Sequence, residues 1–364
     1  MPLINMVVVI VQMLLMRQTF AGEFILTHQD SLRHSNGSWH DGKIDELSYA
    51  TSCAIGTNFS RGACTSEPAT HAMEISALAT IFNDLDGPNW KRKSGWLSGN
   101  PCRNFWHGIE CDSNGKIVRL LLADNRLTGA IPSAIANLVE LRELQLQSTS
   151  IPGYRNPDAN EISGVVPSLV SCTKLQVLDL SGNRITALPF NLNENLMLEV
   201  VSAAYNQLLH IPPLSGLQRL RILQLSSNLI DDVFPATEIC ELVNIKFIDL
   251  GNNTLSGRFS TCMSTSIDPI VFDVSGPLPG NLPAGKGLLG QLPPEIMTNW
   301  KDINRGYLSL FGQTKMSGRI AQLCMDVRQC YRFMFATHED LSWAEDPAAV
   351  PSVVYDTIAL ANSN

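Results

Sequence analysis

The apolar residues in the middle of the chain follow one spacing that returns many times. The clearest copy reads KLQVLDLSGNRITALP over residues 174–189. Its apolar positions are Leu175, Leu178, Leu180, Ile185 and Leu188. Gaps of 3, 2, 5 and 3 residues fit neither the 3.6-residue period of a helix nor the alternation of a long strand. The spacing instead predicts a short strand, a turn and a return segment whose apolar residue points back inward.

Further copies of this pattern follow one another along the chain. They read IVRLLLADNRLTGAIP (117–132), LRELQLQST (141–149), LEVVSAAYNQLLHIP (198–212), LRILQLSSNLIDDVFP (220–235) and IKFIDLGNNTLSGRF (245–259). A single copy cannot bury its own leucines, whereas stacked copies form a continuous apolar core with a parallel sheet on one side. The repeat therefore predicts stacked coils over residues 117–320.

An asparagine closes the strand portion of each copy. It falls at positions 125, 160, 183, 206, 228 and 253, with a period of roughly 23 residues after the first step. Its amide both donates and accepts hydrogen bonds, so it can pair backbone groups that a strand-to-turn corner leaves unpaired. The longer first step indicates an insertion at residues 148–159, after which EISGVVP (161–167) resumes the pattern.

Copies such as NRLTGAIP (125–132) resemble the plant-type class of leucine-rich repeats, and the resemblance covers roughly residues 72–330. It implies an α/β fold, namely a right-handed solenoid with a parallel β-sheet on its concave face and a cap at each end. Similar repeats form ectodomains of plant receptor kinases and secreted inhibitors of cell-wall hydrolases. Because this fold hosts many partners, the repeat indicates the architecture more firmly than the function.

Residues 72–116 predict an N-terminal cap. Leu78, Ile81, Phe82 and Leu85 have the spacing of an amphipathic helix. The stretch GWLSGNPCRNFWHGIEC that follows is similar to the W…C…W-x-G-I-x-C cap of plant-type repeats. We expect three tryptophans to form the core of this cap: Trp90, Trp96 and Trp106.

The two ends of the chain differ from the repeats. Residues 1–21 combine an apolar stretch with small residues before a cleavage point after Ala21, a pattern typical of a secretory signal peptide. Without cleavage this segment would act as a membrane anchor. Residues 22–71 lack periodicity, so we expect a segment of low order. Residues 321–364 are expected to form a C-terminal cap followed by an acidic tail.

Nine cysteines favour an exported protein. Their positions suggest the pairs Cys53–Cys64, Cys102–Cys111 and Cys324–Cys330, with Cys240–Cys262 as a further option and Cys172 left over. Connectivity cannot be deduced from sequence alone, so these pairs remain hypotheses. N-glycosylation triplets add modestly to the exported interpretation, and they begin at Asn36, Asn58 and Asn252.

Composition limits the partners. The 364 residues carry a net charge of −8, and no basic run is longer than KRK at 91–93, which argues against nucleic acid. Signatures of nucleotide binding, serine hydrolases, zinc proteases and kinases do not occur, so no enzyme, cofactor or metal is predicted. The evenly spaced His28, His34 and His40 fall in the segment of expected low order, and GKGLLG (285–290) lacks a strand-turn-helix context.

Binding is expected at the two strand positions that flank each buried leucine, because these face the concave side. We call them the apolar column and the polar column. The apolar column contains Val177, Val200, Ile222, Phe247, Val271 and Tyr307. The polar column contains Asp179, Ser202, Gln224, Asp249 and Asp273. Plain repeat consensus explains single residues equally well, so the binding prediction concerns the face as a whole. The insertion, with Tyr154, Arg155 and Asp158, is a second candidate surface.

These features predict an extracellular, non-enzymatic recognition protein that holds a protein, peptide or cell-surface glycan on the concave face. Two alternatives remain open, an inhibitor of secreted cell-wall hydrolases and a receptor-like ectodomain anchored at a membrane. Membrane association is expected only if the N-terminal segment stays uncleaved.

Overall fold

The structure is a computed structural model of the chain. It describes residues 57–60, 63–66, 69–149, 156–277, 283, 286–290, 293, 295–300, 307–310 and 333–334. Some predictions concern residues outside these ranges, namely the signal peptide (1–21), Asn36, Cys53, Tyr154, Arg155, Cys324, Cys330 and nearly all of 321–364. Within the described part of the chain, no helix is both long and apolar enough to cross a bilayer.

Short strands dominate the described residues. In chain order they are β1 (Thr57–Ser60), β2 (Ala63–Ser66), β3 (Ile109–Cys111), β4 (Ile117–Leu121), β5 (Thr128–Gly129), β6 (Glu143–Gln145), β7 (Glu161–Val165), β8 (Val177–Asp179), β9 (Arg184–Ala187), β10 (Val200–Ser202), β11 (Ile222–Gln224), β12 (Phe247–Asp249), β13 (Ser256–Arg258), β14 (Val271–Asp273), β15 (Gly287–Leu289), β16 (Tyr307–Ser309) and β17 (Phe333–Met334). The α-helices are α1 (Ala69–Asp84), α2 (Ala236–Glu241), α3 (Met263–Ser266) and α4 (Ile296–Asn299). Single 3₁₀ turns span Gly87–Asn89, Ser133–Asn137 and Leu192–Glu194.

One ten-stranded sheet carries the repeats. Its order is β17–β16–β14–β12–β11–β10–β8–β6–β4–β3. Strand β3 is antiparallel to β4, and the repeat strands from β4 onward pair in parallel. The middle residue of each repeat strand, such as Leu178 or Leu223, is fully buried. This arrangement confirms the α/β leucine-rich-repeat solenoid that the spacing of the leucines predicts.

Smaller sheets form where the chain returns after Asn125, Asn160, Asn183 and Asn253. Strands β5, β7 and β9 make a three-stranded parallel sheet, and β13 pairs with β15. A separate antiparallel hairpin joins β1 to β2. The plant-type copies, which carry Gly and then Ile-Pro or Val-Pro after the asparagine, supply β5 and β7.

The repeated asparagines link each coil to the coil before it. The Oδ1 of Asn183 accepts from the backbone N of Ile162 in the preceding coil at 3.0 Å. Its Nδ2 donates to Leu146 O and Leu180 O, both at 3.0 Å. The same bond joins Leu127 to Asn160, Ile185 to Asn206, Leu208 to Asn228 and Ile230 to Asn253, at 2.9–3.1 Å. We call this series the asparagine ladder, and it pairs backbone groups that are fully buried.

The residue directly before five of the repeated asparagines, at positions 125, 183, 206, 228 and 253, has a left-handed backbone. The equivalent positions are Asp124, Gly182, Tyr205, Ser227 and Asn252, with φ between 47° and 71°. At Gly182 a Cβ would collide with the carbonyl oxygen of Ser148, so only glycine fits there.

The N-terminal cap is built around a cluster of aromatic rings in contact. Trp96 lies 5.6 Å from Phe82, 4.8 Å from Trp90 and 5.2 Å from Trp106 between ring centroids. The indole N–H groups donate to backbone carbonyls, for example from Trp90 to Leu85 O at 2.7 Å. The three tryptophans are therefore buried core residues, as expected for a lid over the first coil.

Two disulfides lie in the described residues. One joins Cys102 to Cys111 in the cap, and the other joins Cys240 in α2 to Cys262 beside α3. Cys172 is a free and fully buried thiol, and burial raises its pKa to about 11. Its position in the coil interior makes it a packing residue.

The asparagine ladder generates a stability prediction at two adjacent residues. Asn253→Ala removes the acceptor for Ile230 N and the donor for Leu225 O and Leu250 O. We expect the unfolding free energy to fall by about 1–3 kcal/mol, because buried backbone groups lose their partners. Urea unfolding followed by circular dichroism measures this change.

Asn252→Gly is the matched control. Asn252 is exposed, hydrogen-bonds to Ser227 Oγ, and has a φ of 54° that glycine adopts freely. We expect little change in its urea midpoint. An equal loss of unfolding free energy in Asn253→Ala and Asn252→Gly would show that the buried asparagine does not stabilise the coils more than its exposed neighbour does.

Candidate functional site

The apolar column lies in register across the ten-stranded sheet. Val177 pairs with Val200, Val200 with Ile222, Ile222 with Phe247, and Phe247 with Val271. Tyr307 continues the same register next to Val271. At about 4.8 Å per strand, the column from Val177 to Val271 is roughly 20 Å long. The first four side chains are partly exposed, so they present a continuous apolar strip.

The polar column runs beside it in the same register. Asp179 pairs with Ser202, Ser202 with Gln224, Gln224 with Asp249, and Asp249 with Asp273. Ser202 and Asp249 are only 4% exposed, whereas Asp179, Gln224 and Asp273 are more open. This column therefore offers hydrogen-bonding groups of unequal accessibility.

Burial restricts what three of the predicted contact residues can do. Ser202, Asp249 and Val271 each expose about 4% of their surface. A partner would therefore contact mainly the more exposed residues of the two columns. The Ser202 hydroxyl is also already engaged, because it bonds to Ser181 Oγ at 2.7 Å and to Gln224 Oε1 at 3.0 Å. The accessible part of the face therefore consists of the more open members of the two columns.

Asp249 is the most perturbed carboxyl group on this face. Its Oδ2 accepts from Ser226 Oγ at 2.6 Å, and its Oδ1 accepts from Gly251 N at 3.1 Å. Burial, and then the negative charge of Asp273, raise the pKa of Asp249 to about 7. These hydrogen bonds act in the opposite direction but do not offset the loss of water.

Tyr205 lies in the turn after β10 and reaches toward the same carboxyl group. Burial and the charge of Asp249 raise the pKa of Tyr205, and a hydrogen bond with Ser227 lowers it. Its backbone is left-handed at φ 55°, which is unusual for a bulky residue. Sequence reasoning missed Tyr205, although its place directly before the ladder asparagine at position 206 is a usable signal.

An ion-paired arginine borders the apolar strip at its N-terminal end. Arg119 in β4 donates to Glu110 Oε2 and to Glu143 Oε1, both at 2.7 Å. Both acids come from neighbouring strands of the same sheet. The strip of exposed aliphatic side chains therefore begins at Val177, beyond this charged cluster.

The base of the insertion is held by its own set of polar contacts. Asp158 is paired with Lys91 from the cap and with Arg126 from the first coil, the latter at 2.8 Å. Its hydrogen bonds with these two cations hold the pKa of Asp158 below its ordinary value. Across the same base, Asn156 Nδ2 donates to Thr149 Oγ1 at 2.8 Å. The insertion is thus anchored where it leaves and rejoins the coil.

The described residues form no cluster of side chains that could bind a metal ion. No group of three or more His, Cys, Asp or Glu side chains comes together among them. His107 lies in the cap, where burial and then the charge of Arg92 lower its pKa. The backbone O of His107 accepts from Trp96 Nε1 at 2.9 Å, which fits a structural role.

Comparison with known proteins supports the leucine-rich-repeat fold and gives the proteins to which the chain is similar. The Leucine Rich Repeat family model matches residues 116–138 and 174–196. A solved structure, the Arabidopsis receptor kinase HAESA ectodomain in complex with an N-terminal extended IDA peptide hormone, is similar with a TM-score of 0.51 and 21% identity. The matched region covers 72% of this chain and 42% of the HAESA ectodomain chain. At 21% identity this similarity shows the fold alone.

Two curated relatives from Arabidopsis thaliana match the repeats. Receptor-like protein kinase BRI1-like 3 is 32% identical over 180 residues, which is 47% of this chain and 14% of the relative. Serine/threonine-protein kinase BRI1-like 1 is 34% identical over 197 residues, 52% of this chain and 15% of the relative. The chain therefore spans only a small part of the length of these relatives. Together with the motif and the sheet, these matches support a leucine-rich repeat protein of the plant type.

The anchored insertion generates a prediction at Asp158. Asp158→Asn removes the charge that pairs with Lys91 and Arg126. We expect the backbone N–H of Arg126, which donates to Asp158 O at 2.9 Å, to exchange with solvent deuterium faster than in the native protein. Amide exchange followed by NMR measures the rate.

Asp231→Asn serves as the control, because Asp231 pairs with Lys286 on a distant coil. It should leave the exchange of the Arg126 amide unchanged. If Asp158→Asn also leaves that rate unchanged, the carboxylate does not anchor the insertion.

Proposed function

We propose that the chain is an extracellular, non-enzymatic binding protein that holds an extended peptide segment along the apolar and polar columns. The observation that carries this proposal is the continuous register of Val177, Val200, Ile222 and Phe247 beside hydrogen-bonding side chains. A rigid sheet presents these groups without reordering, which lowers the entropic cost of binding. The two disulfides in the described residues support an oxidising, extracellular environment.

A peptide suits both columns at once. Its apolar side chains gain free energy by covering the aliphatic strip, at about 25 cal/mol per Å² of apolar surface removed from water. Its backbone amides and carbonyls need polar partners when they lose water. Gln224, Asp179 and Asp273 lie next to the strip and remain partly open, so they can supply those partners.

A glycan fits the described face less well than a peptide. Sugar rings pack on flat aromatic side chains, whereas the apolar column from Val177 to Val271 has one aromatic residue, Phe247. The remaining members are aliphatic and suit apolar amino-acid side chains. We therefore favour a peptide over a glycan as the ligand of this face.

Inhibition of a secreted hydrolase is the second candidate. The partly exposed carboxylates Asp179 and Asp273 favour it, because acidic side chains can enter a substrate cleft that is lined by donors. This candidate places the same face against a folded enzyme. Anchoring of the chain at a membrane is compatible with either candidate and depends on residues outside the described ranges.

The test is capture of peptides from a displayed library by native protein and by Phe247→Glu. The substitution places a charge in the middle of the apolar strip, so we expect affinity for the selected peptide to fall at least tenfold, a change of about 1.4 kcal/mol. Calorimetric titration measures the affinity, and circular dichroism shows whether the variant is folded.

Val243→Glu is the matched control. Val243 belongs to the same coil, is 55% exposed, and lies before β12 outside the two columns. It should bind the selected peptide as the native protein does. Equal affinities of native protein and Phe247→Glu would contradict binding on this face and direct attention to the insertion.

Hydrolase inhibition is tested separately with purified protein and a panel of pectin and glycan hydrolases. Inhibition that disappears in Phe247→Glu and in Asp273→Asn, while Val243→Glu still inhibits, would favour the second candidate. Absence of inhibition across the panel would leave the peptide proposal as the better account.

A further inference from the structure

The polar column contains an unbroken chain of side-chain hydrogen bonds. Ser181 Oγ and Ser202 Oγ are 2.7 Å apart, and Ser202 Oγ donates to Gln224 Oε1 at 3.0 Å. The Gln224 side chain in turn hydrogen-bonds to Asp249, which also accepts from Ser226 Oγ at 2.6 Å. The chain therefore links the coils of β8, β10, β11 and β12 and ends at a buried carboxyl group.

The direction of this chain follows from the chemistry of its members. Gln224 accepts from Ser202 through Oε1, so it meets Asp249 with its N–H donor. Because Ser202 has only one proton, which it gives to Gln224, it accepts from Ser181. Every proton in the chain consequently points toward Asp249, which is the acceptor at its end.

A second carboxyl group lies next to Asp249 on the following strand. Asp249 and Asp273 pair in register between β12 and β14. Their Oδ1 atoms accept from the backbone N of Gly251 at 3.1 Å and of Ser275 at 2.8 Å, respectively. The Asp273 carboxylate leans over Gly251, where a Cβ would lie 2.9 Å from its Oδ1. Glycine at this position thus lets the second carboxylate approach the coil of the first.

These surroundings disfavour two negative charges. Asp249 is 4% exposed, and burial together with the charge of Asp273 raises its pKa to about 7. Among the described residues, the titratable groups that face it are Asp273 from β14 and Tyr205 from the turn after β10. The negative charge of Asp273 favours the protonated form of Asp249, whereas Tyr205, whose pKa is raised above its ordinary value of 10.0, stays neutral near pH 7.

We infer that the in-register pair of Asp249 and Asp273 is a proton-binding site: Asp249 holds a proton beside the charged Asp273 in mildly acidic solution and releases it to solvent as pH rises, which makes the charge of the sheet face respond to pH. With the proton bound, the pair carries one negative charge and Asp249 is held as a neutral acid. With the proton released, the pair carries two charges. The consequence for ligands rests on the proposed function: a cationic group beside Asp273 binds more tightly as pH rises.

Linkage gives the sign of the effect on stability. The pKa of Asp249 in the folded protein is raised above its ordinary value of 3.8, so between these values the folded state holds a proton that the unfolded state has lost. Its contribution to stability is therefore greatest at low pH and is lost as pH rises through about 7. An asparagine at position 249 has the shape of the neutral aspartic acid but does not titrate, so Asp249→Asn removes this dependence of stability on pH.

The test compares thermal unfolding midpoints between pH 5 and pH 8.5 for native protein and Asp249→Asn. We expect the native midpoint to fall relative to that of the variant as pH rises. Asp179→Asn is the matched control, because Asp179 occupies the same column and accepts from Ser181 N at 3.1 Å. Its strand neighbours are Gln145 and Ser202 rather than a carboxylate, so its curve should parallel that of the native protein.

A second measurement does not depend on the variant folding well. Carbon-13 NMR of the carboxyl groups in the native protein should show Asp249 titrating near neutral pH, and Asp273→Asn should move that midpoint to lower pH. Parallel unfolding curves for native protein and Asp249→Asn, or an Asp249 midpoint near its ordinary value, would overturn the proposed proton site. Both measurements use the free protein, so a failure to find a peptide ligand is a separate result.

Discussion

The interaction on which the rest of the structure depends is the hydrogen bond between a buried asparagine and the backbone of the neighbouring coil. A strand only three residues long cannot satisfy the backbone groups at its corner, and water does not reach them. Asn183 meets Ile162 N, Leu146 O and Leu180 O with one side chain, and the same geometry returns at four other asparagines. These bonds fix the spacing and the strand register between each coil and the previous one. The buried leucines of successive coils then pack into one continuous core.

That register has consequences on the opposite side of the sheet. Once the coils are aligned, equivalent residues of successive repeats lie on adjacent strands about 4.8 Å apart, whether their side chains are apolar, polar or charged. Aliphatic residues at one position merge into a strip that suits an extended ligand. At the next position the same alignment brings Asp249 beside Asp273, an arrangement that an isolated pair of surface acids would avoid. The perturbed carboxyl group thus follows from coil stacking, because the backbone hydrogen bonds prevent the two strands from sliding apart.

The periodic features could be predicted from sequence, and the non-periodic ones could not. The spacing of leucine and asparagine was sufficient to assign the strands, the parallel sheet and the membership of both columns, because each depends on position within a repeat. The burial of Ser202, Asp249 and Val271 depends instead on the size of side chains in adjacent coils, which the repeat does not specify. Tyr205 reaches from the coil of β10 toward that of β12, and Arg119 binds acids on both neighbouring strands, so neither contact has a local signal. The binding role assigned to the columns stays a prediction.

Amide hydrogen exchange of the ladder donors tests the central claim most directly. The N–H groups of Ile162, Ile185, Leu208 and Ile230 each have an asparagine side chain of the next coil as acceptor. If the ladder holds the coils together, these four amides exchange only when the repeats unfold as a unit, with one common protection that equals the unfolding free energy. Exchange of these amides as fast as in an unfolded chain would contradict the account.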